Sequence, residues 1–153
     1  MKELMEYREK LLARLREASA ELCEACRTAK DPFSSTEGEW TPHQIAFHVR
    51  GIDREVYGMR IRRTLKEENP LFKNFDPDGW MAAHYNYDEP LGKILDEFWA
   101  GIVEVTGLLN SVPQEVWSRQ SQHEALGKDL TLQLWVERSL AHIEEHLARL
   151  KNA

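Results

Sequence analysis

The stretch Ala141-His142-Ile143-Glu144-Glu145-His146, near the C-terminus, carries two histidines four positions apart. On an α-helix these positions lie on one face, about 5.4 Å apart along the axis, so both imidazole rings can reach the same ion. Catalytic metal sites built from histidine commonly use three protein ligands and keep one position open. The stretch therefore predicts two ligands of a metal site, with a third ligand to be found elsewhere in the chain.

Amphipathic periodicity predicts four helices in the 153-residue chain. They run from Lys2 to about Arg27, from Pro42 to about Leu65, from Leu91 to about Ser111, and from about Asp129 to Lys151. Thr41 provides an N-cap for the second helix. No segment shows convincing strand alternation. The prediction is one all-α domain, residues 1–153, folded as a four-helix bundle.

The third ligand is expected to be His48. The core-facing stripe of the second helix is predicted as Ile45, His48, Val49, Ile52, Val56, Met59 and Arg63, and that of the fourth as Leu132, Trp135, Ser139, His142, His146 and Leu150. An unpaired imidazole inside a bundle costs free energy. Three inward histidines at compatible heights therefore predict that His48, His142 and His146 bind a divalent metal ion.

This site constrains the topology, because the early second helix and the late fourth helix must share one end of the bundle. Short connections then make the order up-down-down-up, with the second and third helices parallel. The connection from Glu67 to Pro90 has to run back along the bundle. Its 24 residues reach about 80 Å when extended, against roughly 37 Å for the second helix. Its closing part, Trp80 to Asp88, is expected to return to the metal end.

Three neutral imidazoles leave a bound ion its full charge, so it can acidify a water molecule or ionise a thiol. Zinc and nickel suit imidazole best, while iron and manganese stay open. His84 is a candidate catalytic base. Five further residues are candidates for the substrate pocket: His43, Trp80, Tyr85, Tyr87 and Trp135. The alternative for the residues between 80 and 87 is that they only anchor the connection. His123 is placed at the far end of the bundle and receives no role.

Composition limits the partners. The net charge of −6 disfavours nucleic acid, which is bound through clustered Lys and Arg. The one basic cluster, Arg60-Ile61-Arg62-Arg63 with Lys66, is interpreted as the last turn of a helix. No apolar run reaches about 18 residues, so no membrane partner is expected. Without a signal-peptide core after Met1, the predicted location is the cytoplasm.

Cys23 and Cys26 form a C-x-x-C pair inside the first predicted helix, without a second cysteine pair. A redox or zinc motif is expected at the start of a helix or with partner cysteines, so we interpret the pair as reduced and buried. Two other metal motifs also fit poorly. His142 to His146 matches H-x-x-E-H formally, but that motif needs a ligand far downstream. The E-x-x-H pairs of di-iron bundles are absent, since Ile45, Ser139 and Ile143 precede the histidines by three.

A family resemblance joins these features. The segments Trp40-Thr41-Pro42-His43-Gln44-Ile45-Ala46-Phe47-His48-Val49, Phe75-Asp76-Pro77-Asp78-Gly79-Trp80, Leu130-Thr131-Leu132 and His142-Ile143-Glu144-Glu145-His146-Leu147 resemble the DinB-like superfamily, which includes the YfiT-type metal-dependent hydrolases. The resemblance implies the same bundle topology and a metal-binding triad carried onto His48, His142 and His146. Characterised relatives include thiol S-transferases and isomerases that use low-molecular-weight thiols, and a homodimer is also implied.

Two classes of function follow. The first is a metal-dependent transferase or hydrolase acting on a small molecule, including a low-molecular-weight thiol. The second is a non-catalytic, stress-associated bundle protein that holds a metal or a small ligand. A helical interaction protein with incidental histidines is a third reading, and it predicts no metal.

Overall fold

Four helical rods form the bundle in the computed structural model, which describes residues 1–152. The helices are α1 (Lys2–Arg27), α2 (Pro42–Ile52), α3 (Gly58–Lys66), α4 (Pro77–His84), α5 (Leu91–Ser111) and α6 (Leu132–Lys151). A π-helical turn, Asp53–Tyr57, joins α2 and α3 into one rod. The rods are therefore α1, α2–α3, α5 and α6, and the predicted all-α bundle is confirmed. Residues 1–152 contain no helix with the length and apolar character that crossing a membrane requires.

Side-chain contacts along the rods fix their relative directions. They are Arg14–Glu144 and Glu21–Lys151 between α1 and α6, Arg27–Asp96 and Arg16–Thr106 between α1 and α5, and Arg50–Glu97 and Arg62–Glu104 between α2–α3 and α5. In the α1–α6 pairs and in the pairs between α2–α3 and α5, both residue numbers rise together, so these rods are parallel. In the α1–α5 pairs one number rises while the other falls, so these rods are antiparallel. Taking α1 as up, α2–α3 and α5 run down and α6 runs up, as predicted.

Capping side chains set where two of the rods begin. The Thr41 hydroxyl accepts the Gln44 N–H, and the Gln44 side chain accepts the Thr41 N–H, which closes a capping box before α2. The Thr131 hydroxyl caps α6 by accepting the Leu134 N–H, without the reciprocal bond. The predicted start of the fourth helix at Asp129 is therefore three residues early. Asp129 has a φ of +60° and lies in a strand instead.

The π-turn changes which residues of α3 face the core. Its defining bond runs from the Gly58 N–H to the Asp53 carbonyl, five residues back rather than four. One extra residue per turn rotates everything after it by about 100°. Beyond the turn the buried side chains are Arg60, Ile61 and Thr64, whereas the predicted stripe positions Met59 and Arg63 are only half-buried. The predicted stripe is thus correct up to Val56 and wrong after it.

A small sheet that the sequence did not predict covers the α3–α6 side. Its strands are β1 (Leu71–Phe72), β2 (Gln120–His123) and β3 (Gly127–Thr131), with β1 parallel and β3 antiparallel to β2. The Trp135 indole N–H donates to the Ser121 hydroxyl at 2.7 Å, and the Phe72 ring meets Trp135 edge-on at 5.7 Å. The α5–α6 connection therefore lies along the side of the bundle and not only at its end.

The closing part of the long connection from α3 to α5, residues 80–89, packs on a different face of α2 from the one that carries His48. The Trp80 ring packs on Phe47 and directly on the backbone of Gly51. The carboxylate of Glu89, just before α5, pairs with Arg50. At about 100° per residue, Gly51, Phe47 and Arg50 lie roughly 60°, 100° and 160° around the helix from His48. The connection thus reaches the expected end of the bundle but on its α5 side.

Gly51 gives a test of this packing. Replacing a helical glycine by alanine normally stabilises a helix by about 0.5–1 kcal/mol. At Gly51 the new Cβ would lie 2.1 Å from Cη2 of Trp80, so we expect Gly51→Ala to destabilise the protein by about 1–3 kcal/mol in denaturant unfolding. Gly107→Ala is the matched control, because no atom lies within 4 Å of a Cβ there. An equal gain in stability for both variants would contradict the packing.

Candidate metal centre

Three imidazoles from two antiparallel rods converge at the upper end of the bundle. His48 comes from α2, and His142 and His146 come from successive turns of α6. One potential ligand atom from each ring lies within 4.8 Å of the others. The Nε2 atoms of His48 and His142 are 3.0 Å apart. Among residues 1–152 this cluster includes no carboxylate or thiol, so the protein offers three nitrogen ligands.

The spacing and burial of the rings fit a divalent ion. Two nitrogens bound to one zinc ion at about 2.0–2.1 Å lie roughly 3.3 Å apart at a tetrahedral angle, close to the separation of the His48 and His142 Nε2 atoms. His146 has a buried Nδ1 without a hydrogen-bond partner in the described chain. A buried, unsatisfied nitrogen costs free energy, which coordination of a cation offsets. The donor set is therefore suited to zinc-like ions.

Burial also keeps the three rings in the form that binds a metal. It is the main cause that lowers the pKa of His48 to about 4 and that of His142 to about 3, and the neighbouring histidines add to both shifts. Burial lowers the pKa of His146 as well, with Glu145 opposing the shift. All three imidazoles are consequently neutral at pH 7, with lone pairs free for coordination.

The rings form part of the wall of a cavity of about 470 Å³. Trp40 stands edge-on to His48 at 4.7 Å and lies parallel to His146 at 6.2 Å. On the other side, the Tyr57 ring centre is 5.8 Å from that of His142. Trp40 and Tyr57 thus provide the aromatic walls beside the cluster.

His43 and Tyr85 do not line this cavity. His43 is fully buried, and its two ring nitrogens contact the Tyr85 hydroxyl and the Glu89 carbonyl, both at 2.7 Å. Its nitrogens are therefore used in fastening the end of the long connection to α2. The expectation that these two residues form the substrate pocket is corrected, because the connection packs on another face of α2.

The other pocket candidates also lie elsewhere. Trp80 and His84 stack on each other at 4.9 Å beside Phe47 and Gly51, and neither of them lines the cavity. The exposed Tyr87 ring packs on Phe33. Trp135 is fully buried beneath the sheet. The structure therefore does not place His84 where a base could reach a substrate bound at the triad.

Sequence reasoning missed several residues of the cavity wall, among them Tyr57, Arg60, His123 and Arg138. Tyr57 belongs to the π-turn and Arg60 follows it, so the helical period did not point to them. Strand β2 brings His123 to the cavity, which corrects its expected place at the far end. Of these four residues, only Arg138 could have been predicted from the sequence, because it precedes His142 by one helical turn.

The two cysteines take no part in the site. Both are free and buried in α1. Burial raises the pKa of Cys23 to about 11 and that of Cys26 to about 12. Neither thiol is therefore available as a thiolate near neutral pH.

Fold and site together define a class: four-helix bundles with an inward cluster of three histidines. The chain belongs to the DinB superfamily, whose family model matches residues 3–150. The solved structure described as "YfiT from Bacillus subtilis is a probable metal-dependent hydrolase with an unusual four-helix bundle topology" superposes with a TM-score of 0.76. It shares 24% identity, covering 96% of this chain and 89% of that one, and so it confirms the fold.

Two curated relatives carry the name "Putative metal-dependent hydrolase". The one from Oceanobacillus iheyensis is 26% identical over 122 residues, which cover 76% of this chain and 66% of that protein. The one from Bacillus licheniformis is 27% identical over 143 residues, which cover 89% of this chain and 78% of that protein. The chain thus spans slightly less than two thirds of the first relative's length.

The Arg50–Glu89 pair, which fastens the long connection beside the site, gives a pH-dependent prediction. Arg50 donates to both Glu89 oxygens, at 2.5 and 2.6 Å, and these bonds are the main cause that lowers the pKa of Glu89 from 4.5 to about 2. The unfolded chain binds this proton more readily, so the stabilisation is complete above pH 4.5 and is lost as the pH falls through about 2.

We expect Glu89→Gln to lower the free energy of unfolding by about 2–3 kcal/mol at pH 6, with a smaller loss at pH 3.5. Denaturant unfolding at the two pH values measures both. Glu67→Gln removes the solvent-exposed partner of Arg63 and serves as the control, with little change expected. A loss at Glu89 that does not depend on pH would contradict the role of its charge.

Proposed function

We propose that this protein is a metal-dependent enzyme in which His48, His142 and His146 hold a divalent ion, with a small electrophilic molecule as its substrate. The observation that supports this most directly is the convergence of three buried, neutral imidazoles on the wall of a cavity, without a fourth protein ligand in residues 1–152. Three ligands leave coordination positions free for a reactant. We further propose zinc or nickel as the ion, because both suit imidazole.

The residues around the triad have separate tasks. When bound, the ion supplies Lewis-acid chemistry, by which a water molecule or a thiol loses its proton near neutral pH. The three histidines would hold the ion between α2 and α6. Trp40 and Tyr57 shield the cluster from bulk water on two sides and provide flat apolar surfaces for a substrate.

Both hydrolysis and thiol S-transfer are consistent with this site. The names of the two curated relatives support hydrolysis, while S-transfer follows from the family resemblance. The chain has only two cysteines, and both are buried with raised pKa values. For S-transfer the thiol must therefore arrive as a second, low-molecular-weight substrate. The homodimer and the cytoplasmic location stay predictions from the sequence.

Metal binding is the first test. We expect purified protein titrated with zinc or nickel to bind one ion per chain, and His142→Ala to weaken binding at least about a hundredfold by removing one of three ligands. Calorimetric titration and elemental analysis measure this. His84→Ala is the control, because His84 is exposed and lies away from the triad. No bound metal in the wild type, or equal losses in both variants, would refute the proposal.

Removal of the ion separates a catalytic from a structural role. The apolar core involves all four rods and does not depend on the triad, so we expect the metal-free protein to keep its helical circular dichroism. At metal concentrations about 1,000 times Kd, the ion should add about 4 kcal/mol to the free energy of unfolding. Unfolding of the chain on chelation would instead indicate a structural site in a non-catalytic binding protein.

A further inference from the structure

We infer that Arg60, Arg138 and His123 form an anion subsite in the wall of the same cavity, which binds a carboxylate or phosphate group of the substrate. The inference rests on the proposed function in one respect, namely that this cavity receives the substrate. It narrows the substrate to small molecules with a negatively charged group at one end and a reactive group that reaches the triad at the other.

Arg60 is a buried cation without a carboxylate partner. Its side chain is 5% exposed, and no ion pair in residues 1–152 includes it. Its Nη2 makes only a long contact of 3.4 Å with the Lys73 carbonyl, and its Nε is buried without a partner. The guanidinium lies over the Trp135 ring at 4.8 Å, which holds it in place but leaves most of its N–H groups unused.

Arg138 is the second uncompensated cation. Every arginine in residues 1–152 other than Arg138 donates at least one hydrogen bond to a protein group. Arg138 is exposed at the cavity and lies one turn before His142 on α6. Its guanidinium group is therefore free to bind a ligand in the cavity that Arg60 also lines.

His123 adds a donor of fixed orientation. Its Nδ1 accepts the backbone N–H groups of Ala125 and Leu126, at 3.0 and 3.1 Å. The neutral ring therefore carries its proton on Nε2, which has no protein partner in the described chain. The pKa of His123 is lowered mainly by burial and further by the charges of Arg60 and Arg138, while the charge of Glu124 opposes the shift. Arg60, Arg138 and His123 thus line one cavity with three sets of donors and no ion pair among them.

The acidic residues in and beside the wall form no ion pair with Arg60 or Arg138 in the described chain. Glu145 accepts a hydrogen bond from Arg149 at 3.0 Å, so these two charges cancel each other. Asp78 is exposed and pairs with no cation in residues 1–152. Glu124, which follows His123, accepts the Asn74 N–H. Asp78 in the wall and Glu124 beside it are therefore the unpaired carboxylates near this group within residues 1–152, and neither contacts Arg60 or Arg138. Planar guanidinium groups match the oxygens of a carboxylate or phosphate.

The test uses protein freed of metal by chelation and dialysis, so that an anion cannot bind through the ion. Inorganic phosphate and succinate are titrated at constant ionic strength, and the indole N–H of Trp135, under Arg60, is followed by NMR. Neutral succinamide is the control ligand. We expect both anions to shift this signal saturably and succinamide to leave it unchanged. The relative affinities of phosphate and succinate show which of the two anionic groups the subsite prefers.

Two variants locate the subsite. We expect Arg60→Gln and Arg138→Gln each to weaken anion binding about tenfold or more. Arg54→Gln is the control, because Arg54 pairs with Glu97 on the α5 side, and it should bind as the wild type does. If Arg60→Gln fails to fold, the exposed Arg138 still decides the outcome. No saturable shift in the wild type, or equal affinities in all three variants, would overturn the inference.

Metal titration of the same variants keeps this inference separate from the proposed function. Weakened anion binding with unchanged metal affinity supports a distinct subsite. Loss of both in Arg138→Gln would overturn it, because the arginine would then act through the triad. If the wild type binds no metal, the proposed function fails, while the anion titration still decides whether the subsite exists.

Discussion

One constraint links the topology to the site, namely that His48 on α2 lies beside His142 and His146 on α6. Because these rods are antiparallel, the start of α2 and the end of α6 have to lie together, and α1 has to run beside α6 in the same direction. The remaining rod, α5, is then parallel to α2–α3, which requires the long connection between them. Burial of the three rings keeps them neutral, so the same packing that sets the topology prepares the ligands.

The spacing of apolar residues predicted the features of the fold that depend on regular helices. It located the rods, the cap at Thr41 and the three histidines, because each of these follows from local chemistry repeated every 3.6 residues. The direction of the rods followed from requiring three ligands to meet. In both cases short-range sequence patterns were sufficient, and the ion pairs between the rods, such as Arg14–Glu144, agree with them.

The site walls could not be predicted because they depend on irregular backbone. The π-turn moves Arg60 into the core in place of Met59. Strand β2 is four residues of polar sequence, without the alternation that marks a strand, yet it carries His123. The long connection was assigned to the correct end but to the wrong side of α2, since either face offered apolar residues. The sequence does not show which face a loop will cover.

The π-turn has a consequence for how such a protein can diversify. It divides one rod into two segments whose registers are independent: α2 carries a metal ligand, and α3 carries a wall of the cavity. Loss or gain of a single residue at the turn would rotate α3 by about a quarter-turn and present a different side chain to the cavity while leaving His48 in place. Chemistry and substrate preference can thus vary separately along one continuous helix.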